Sequence, residues 1–289
     1  MSEPVSIQWF PGHMAKTRRL MTESLPLIDG VAEIIDARIP VSSRNPELDA
    51  IIKDKPRIVL MNKADIADEN ANKKWIAFFK AQEIEALPVD CKTGKGLSGF
   101  SDKVNAVMGD RLKKFKEKGM TGRTLRLMVV GIPNVGKSSF INRMARSGKA
   151  KVADRPGVTR GTQWFSIGKG IELMDTAGVL WPKFDDPAVG ERLAFTGAVK
   201  DVVADTELLS IRLLVLMNKH HAENLEQRYK ITLSPDMQGF EILEQIGRKR
   251  GMLISGGEVD TERASVTVLD EFRGGKLGRI TLELPEAIQ

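Results

Sequence analysis

Apolar residues in this chain follow two patterns. In the first part they form short unbroken runs, each ended by a polar loop rich in Gly, Pro, Asn or Asp, and later they recur at helical spacing. Ile58-Val-Leu-Met61, Leu87-Pro-Val-Asp90 and Leu127-Met-Val-Val130 have the length of buried strands. Thr162-Gln-Trp-Phe-Ser-Ile167 and Ile171-Glu-Leu-Met-Asp175 predict a pair of strands joined by the turn Gly168-Lys-Gly170. Further on, Ala204 to Met217 is rich in Leu, Ile and Val, and Phe240, Leu243 and Ile246 recur every third residue between charges. Asp260 is placed to cap a helix that runs to Phe272 and stops at Gly274-Gly275. Met14 to Leu25 predicts one more helix, on or beside the sheet, and Asn218-Lys-His-His221 reads as a helix end.

The loops carry the chemistry. Gly131-Ile-Pro-Asn-Val-Gly-Lys-Ser138 matches G-x-x-x-x-G-K-[ST] between a strand-like run and a stretch (Ser139 to Met144) that continues as a helix. Gly131 and Gly136 let the backbone curl so that successive N–H groups face a phosphate, Lys137 reaches the terminal phosphates, and the Ser138 hydroxyl suits Mg2+. Asn134, Val135, Gly136, Lys137, Ser138 and Ser139 are therefore nucleotide-contacting candidates. Asn62-Lys-Ala-Asp65 follows a strand, where open α/β sheets bind ligands. Asp65 can accept from the N1–H and 2-amino group of guanine, Asn62 can donate to the N7 side, and the Lys63 stem can cover the ring. A buried carboxylate there would reject a base without those donors. Cys91-Lys-Thr-Gly94, with Cys91 and Lys92 foremost, suits a backbone N–H aimed at the guanine carbonyl. Downstream, Thr159 in Asp154-Arg-Pro-Gly-Val-Thr159 could reach the metal and the γ-phosphate. In Asp175-Thr-Ala-Gly178, Asp175 holds Mg2+ through water and the Gly178 N–H senses that phosphate.

Their order is unusual. The guanine loops at 62–65 and 91–94 precede the phosphate cradle at 131–138, whereas an ordinary GTPase has the cradle first. Joining old termini and cutting one exposed loop preserves such a site, with residues from Lys103 to Thr124 as the join. Together with Ile7-Gln-Trp-Phe-Pro-Gly-His-Met-Ala-Lys16, Asp36-Ala-Arg-Ile-Pro40, Ser43-Arg-Asn-Pro46 and Leu180-Trp-Pro-Lys183, this order resembles the circularly permuted GTPases of ribosome assembly. The resemblance covers nearly the whole chain. It implies maturation of the large ribosomal subunit, with its precursor, rRNA and ribosomal proteins as partners, and a helical C-terminal domain that contacts the ribosome. The expected fold is an α/β, circularly permuted, doubly wound P-loop GTPase domain (31–199) followed by a small all-helical domain (200–289), with an N-terminal helical extension (1–30).

Composition agrees with a cytoplasmic protein: no apolar run approaches the ~18 residues a membrane span needs, no secretory signal pattern opens the chain, and one cysteine excludes an internal disulfide. The net charge of +6 is unevenly spread. Residues 200–289 hold 12 Lys/Arg against 15 Asp/Glu, and the remaining 32 against 23 put residues 1–199 at +9. The excess gathers at Lys16, Arg18 and Arg19, at Arg111 to Arg126, and at Arg143 to Arg160. Such patches suit a phosphate backbone, although at 111–126 a solvated face on the joining helix is an equal alternative.

Hydrolysis is less explicit. Val179 stands after Gly178 where many GTPases have a water-orienting glutamine, so intrinsic turnover is expected near ~10⁻⁴ to 10⁻³ s⁻¹. Asn134 resembles the asparagine with which K+-using relatives hold that ion beside the phosphates. His13 corresponds to a histidine suspected in the family of acting in stimulated hydrolysis; Lys137 is the other catalytic candidate. The leading expectation is a GTPase that converts GTP to GDP and phosphate on the pre-ribosomal particle. A GTP-gated RNA- or ribosome-binding module with incidental hydrolysis is the alternative, and a small-molecule kinase is disfavoured because no second substrate pocket is signalled.

Overall fold

The computed structural model describes residues 12–52, 55–120, 122–147, 163–181, 184, 186–199 and 205–288; the side chains of 12–15, 116, 147, 287 and 288 are outside that set. Thr159, the basic residues 149–160 and the opening residues Ile7 to Pro11 therefore lie outside the described residues. The chain forms two compact units. Among the described residues, 12–181 and 283–288 make one and 184–282 the other.

The first unit is built on a six-stranded sheet in the order β3-β2-β1-β4-β6-β5. Its strands are β1 (Gly30–Asp36), β2 (Arg57–Asn62), β3 (Glu85–Pro88), β4 (Leu125–Val130), β5 (Trp164–Ser166) and β6 (Ile171–Met174). All pairings are parallel except β5 with β6, the hairpin predicted from the Gly168-Lys-Gly170 turn. Every residue of β1 is buried, as expected for a central strand of a parallel sheet covered on both faces. In chain order the strands move outward from β1 to β3 and then return to β4 on the other side of β1. The loops after β1, β2 and β4 consequently converge at the switch point, where doubly wound sheets bind ligands.

Helices cover this sheet. α1 (Gly12–Ser24) and α2 (Glu47–Ile52) contribute Met21, Leu48 and Ile52 to a cluster with Val31, Met128, Val130, Trp164 and Val179. α3 (Glu69–Ala81) buries Trp75 and Phe79 against Ile35, Val59 and Met61. α4 (Phe100–Val107) and α6 (Lys137–Ser147) meet through Phe100 and Phe140, edge to face at 5.1 Å. The join is helical: α4 is followed by α5 (Gly109–Glu117) before β4 begins.

The second unit comprises α7 (Pro187–Phe195), α8 (Thr206–Tyr229), α9 (Gly239–Lys249) and α10 (Thr261–Arg273). Asp260 caps α10 by accepting from Arg263 N at 3.0 Å, and Gly274 closes it, as predicted. Gly239 brings α9 against α8: a Cβ there would fall 2.3 Å from the Ile211 carbonyl oxygen.

The structure adds to or differs from the sequence reading at four places. The division falls near residue 182 instead of 199, because α7 shares the helical core through Ala194 and Phe195, whose carbonyls accept from Arg273. The N-terminal helix packs on the sheet, with Met21 in the core of that unit. Asn218-Lys-His-His221 lies inside α8, at a kink where His221 takes φ −145° and ψ 36°, and Asn218 is held there by donating to Ser234 O at 2.8 Å. Phe240 is 57% exposed, while Ile242, Leu243 and Ile246 fill the core of that helix.

Candidate guanine-nucleotide site

β4 runs into the phosphate loop, and α6 starts at Lys137. The loop's curl depends on residues that accept positive φ: Gly131 at 149°, Asn134 at 57° and Gly136 at 109°. A Cβ at Gly136 would fall 2.2 Å from Asn62 Nδ2, so glycine is required where the base-side strand end approaches. Lys137 is buried, and its Nζ donates to Gly131 O at 3.1 Å and Ile132 O at 2.8 Å. Burial holds its ammonium down to about 8, against the opposing pull of Asp175. Ser138, Ser139 and Asn134 are exposed on the same loop, and Val135 is buried beneath it.

The base-side loops are bonded to this cradle. Asn62 Nδ2 donates to Val135 O at 2.7 Å, and Asn62 Oδ1 accepts from Cys91 N at 2.9 Å. One buried amide thus fastens the loops after β2, β3 and β4 together across 73 residues of sequence. The Nδ2 expected to face N7 of a purine is turned on the Val135 carbonyl here; an amide nitrogen carries a second N–H, so that contact stays a proposal. Asp65 is exposed, not buried as expected, because its loop lies beyond the end of β2. In the 91–94 loop the N–H groups of Lys92 and Thr93 both turn on Asp90 Oδ1, at 2.8 and 3.2 Å, which shapes the loop. The Cys91 thiol is buried and pushed up to about 12, first by burial and then by Asp90, so it fills the turn as an unreactive group.

Lys63, with φ of 63°, reaches back to donate from Nζ to Asp36 Oδ2 at 2.8 Å. Burial alone would push the Asp36 carboxyl up; Arg38, forked onto it at 2.9 and 2.7 Å, and Lys63 together hold it well below the usual carboxylate range. Asp36 and Arg38 were legible only as part of a family signature, since nothing local announces that they orient Lys63.

The γ-phosphate side closes the arrangement. A Cβ on Gly178 would fall 2.7 Å from Pro133 N and 2.9 Å from Lys137 Nζ, so Gly178 lies directly on the phosphate loop. Thr176 Oγ1 donates to Val129 O at 2.6 Å, and Val179 N to Gly131 O at 3.3 Å. Asp175 Oδ1 is buried without a hydrogen-bond partner, and burial pushes the carboxyl up despite neighbouring Lys137. An orphan carboxylate oxygen beside the cradle fits a water-mediated contact to Mg2+ together with the Ser138 hydroxyl. Among the described residues no three His, Cys, Asp or Glu side chains cluster as a self-sufficient metal site, which suits an ion shared with phosphates. His13 lies in α1, but its side chain is outside the described residues, as is Thr159.

A family model described as "50S ribosome-binding GTPase" matches residues 126–240. The match starts at β4, which leaves both base-side loops ahead of it. Ribosome biogenesis GTPase A of Bacillus cereus is 48% identical over 97% of this chain and 94% of its own length. The chain belongs to the ribosome biogenesis GTPase A family. The Thermotoga maritima member is 31% identical over 98% of this chain and 96% of its own length. Two solved structures, the GDP-bound YlqF of T. maritima and its GNP-bound form, align with TM-scores of 0.64 and 0.63 at 27% and 28% identity. They cover 92% and 94% of this chain and 99% of their own chains. The α/β GTPase fold in permuted order with a helical C-terminal part is the architecture of this family.

Proposed function

We propose that the chain is a GTP-hydrolysing assembly factor that acts on the precursor of the large ribosomal subunit in the cytoplasm, with rRNA and ribosomal proteins as its partners. One observation carries the nucleotide reading: the end of the base-side strand and the phosphate loop are a single bonded unit through Asn62 and Val135. Asp65 then reads the guanine edge, Lys63 covers its face, and the backbone of Cys91 and Lys92 borders its carbonyl. The loop from Asn134 to Ser139 cradles the phosphates.

Lys137 leaves the Gly131 and Ile132 carbonyls for the β- and γ-phosphates, which replace neutral acceptors with charged ones. Ser138, Thr159 and Asp175 would hold Mg2+, which would supply positive charge against the phosphates. Asn134, exposed and with φ of 57°, would be the residue of this loop to contact K+. The Gly178 N–H reports the γ-phosphate, and its loss releases the segments around Thr159 and Gly178.

Val179 is buried in the core cluster, so it cannot orient water and intrinsic turnover is slow. Stimulation then comes from the particle, with His13 as the residue in this chain that would act there. The basic helix α5 supports an RNA contact. Lys113, Lys114 and Lys118 are exposed, while Arg111 and Arg123 lean on the buried Asp29 carboxylate at 3.7 and 3.5 Å. GTP turnover measured with and without large ribosomal subunits tests the proposal: stimulation is expected, and none would contradict it. Val179 also favours a second reading, a GTP-gated binding module. A protein loaded with a non-hydrolysable analogue would complete subunit maturation under that reading and stall it under the first.

A further inference from the structure

The loop of residues 37–46 between β1 and α2 is gripped by groups from distant parts of the chain. Glu283 begins the segment that follows the helical unit and packs with the sheet unit. Its Oε2 accepts from Val41 N at 2.6 Å and Ser42 N at 3.1 Å. Its Oε1 accepts from Ser42 N at 3.2 Å and from the Ser42 hydroxyl. The segment is fixed further by Trp75 Nε1, which donates to Glu283 O at 2.9 Å, and by Lys74, 2.9 Å from Glu286. Glu283 and Ser42 are both buried.

The same loop ends on the nucleotide machinery. At its start Asp36 holds Lys63, and at its far side Asn45 Nδ2 donates to Val179 O at 3.2 Å, one residue beyond Gly178. Within the loop, Ser43 Oγ accepts from Asp36 N at 3.0 Å and donates to Ile39 O at 2.7 Å, so the turn behaves as one piece. A carboxylate is costly to bury unless it gathers donors. An apolar residue could pin the tail by packing alone, whereas this carboxylate fixes the backbone of two named residues in a turn that touches both halves of the site.

We propose that Glu283 is a positioning residue for the nucleotide site: it clamps loop 37–46 so that Lys63 is presented to the base and the Val179 segment to the phosphate loop. The inference rests on the guanine-nucleotide reading above. It also makes the last residues of the chain, which emerge from the helical unit, part of the site's support.

The test uses the full chain with fluorescent GDP, a fluorescent non-hydrolysable GTP analogue, and GTP turnover. Glu283→Gln keeps the size of the side chain but puts an amide against two N–H groups; the expected loss of nucleotide affinity is about threefold to tenfold. In a cycle with Lys63→Ala the two losses should not add, because both act through the same contact. Affinities and turnover within twofold of wild type, whatever happens to the melting temperature, would reduce the tail to a packing element. If Glu283→Gln fails to fold, Ser42→Ala is read in the same way: a weakened affinity supports the clamp and an unchanged one overturns it. Wild-type protein that binds no guanine nucleotide would instead sink the nucleotide reading itself.

Discussion

Lys137 is an ammonium buried among loop carbonyls, and its proton affinity is lowered to about 8 in consequence. A polyphosphate brought against it restores the charge, so the pKa in the complex is higher and binding takes up a proton once the pH passes the lower value. Below about pH 8 the lysine is protonated in both states and the affinity is flat. As pH rises through that value the affinity for GDP should fall, by up to about tenfold per pH unit for one linked proton. Calorimetry in buffers of different ionisation enthalpy at pH 8.5 checks this by detecting proton uptake. Asp36 makes the opposite case, a buried carboxylate held ionised by Arg38 and Lys63. Asp36→Asn removes the charge that buried Arg38 and half-buried Lys63 share and should cost about 3 kcal/mol of stability in urea titrations, with weaker guanine binding.

At the scale of elements, the segment after β6 has almost no room against the phosphate loop. Gly178→Ala would put a Cβ 2.8 Å from Pro133 Cα. Binding of a non-hydrolysable GTP analogue and turnover should therefore drop by an order of magnitude or so, about 1.4 kcal/mol, while GDP affinity stays near wild type. Helix α5 stands at the other end of the sheet, where Asp29 precedes β1 and accepts from Arg126 N at 3.0 Å. Reversing Lys113, Lys114 and Lys118 to glutamate should leave intrinsic turnover unchanged but weaken binding to large subunits and flatten its salt dependence. Equal binding and an equal salt slope would clear this helix of any RNA contact.

The elements that the sequence made legible are those with local signals. The hairpin of β5 and β6 announces itself by two short apolar stretches about a Gly-Lys-Gly turn, and α10 by an aspartate cap and a glycine pair. The kink at His221 and the exposure of Phe240 were not legible, because both depend on how neighbouring helices pack.

Across the whole molecule, the permuted order was readable since each nucleotide motif is a short string, and the sheet order then shows why it works. Strands β1 and β4 are neighbours although 97 positions separate Val31 from its partner Met128, and this lateral pairing fixes the site regardless of where the chain is cut.

 What no motif could give is the cross-bracing: Lys63 on Asp36, Asn62 on Val135, and Glu283 on Ser42, which join residues 27, 73 and 241 positions apart. Each partner is an ordinary polar residue until the strand order brings it alongside the other. The attachment of α7 to the helical core was not legible for the same reason, since α7 reads as a plain helix whichever core it joins.

The central claim is that base-side and phosphate-side loops, reversed in chain order, hold one guanine nucleotide between them. Competition of GDP and xanthosine diphosphate for wild-type and Asp65→Asn protein tests it most directly. An amide in place of the Asp65 carboxylate presents a donor where guanine also donates, so the variant should lose guanine affinity and gain xanthine affinity. An unchanged preference for guanine would mean that the base is read elsewhere, and the assignment of residues 62–65 would be wrong.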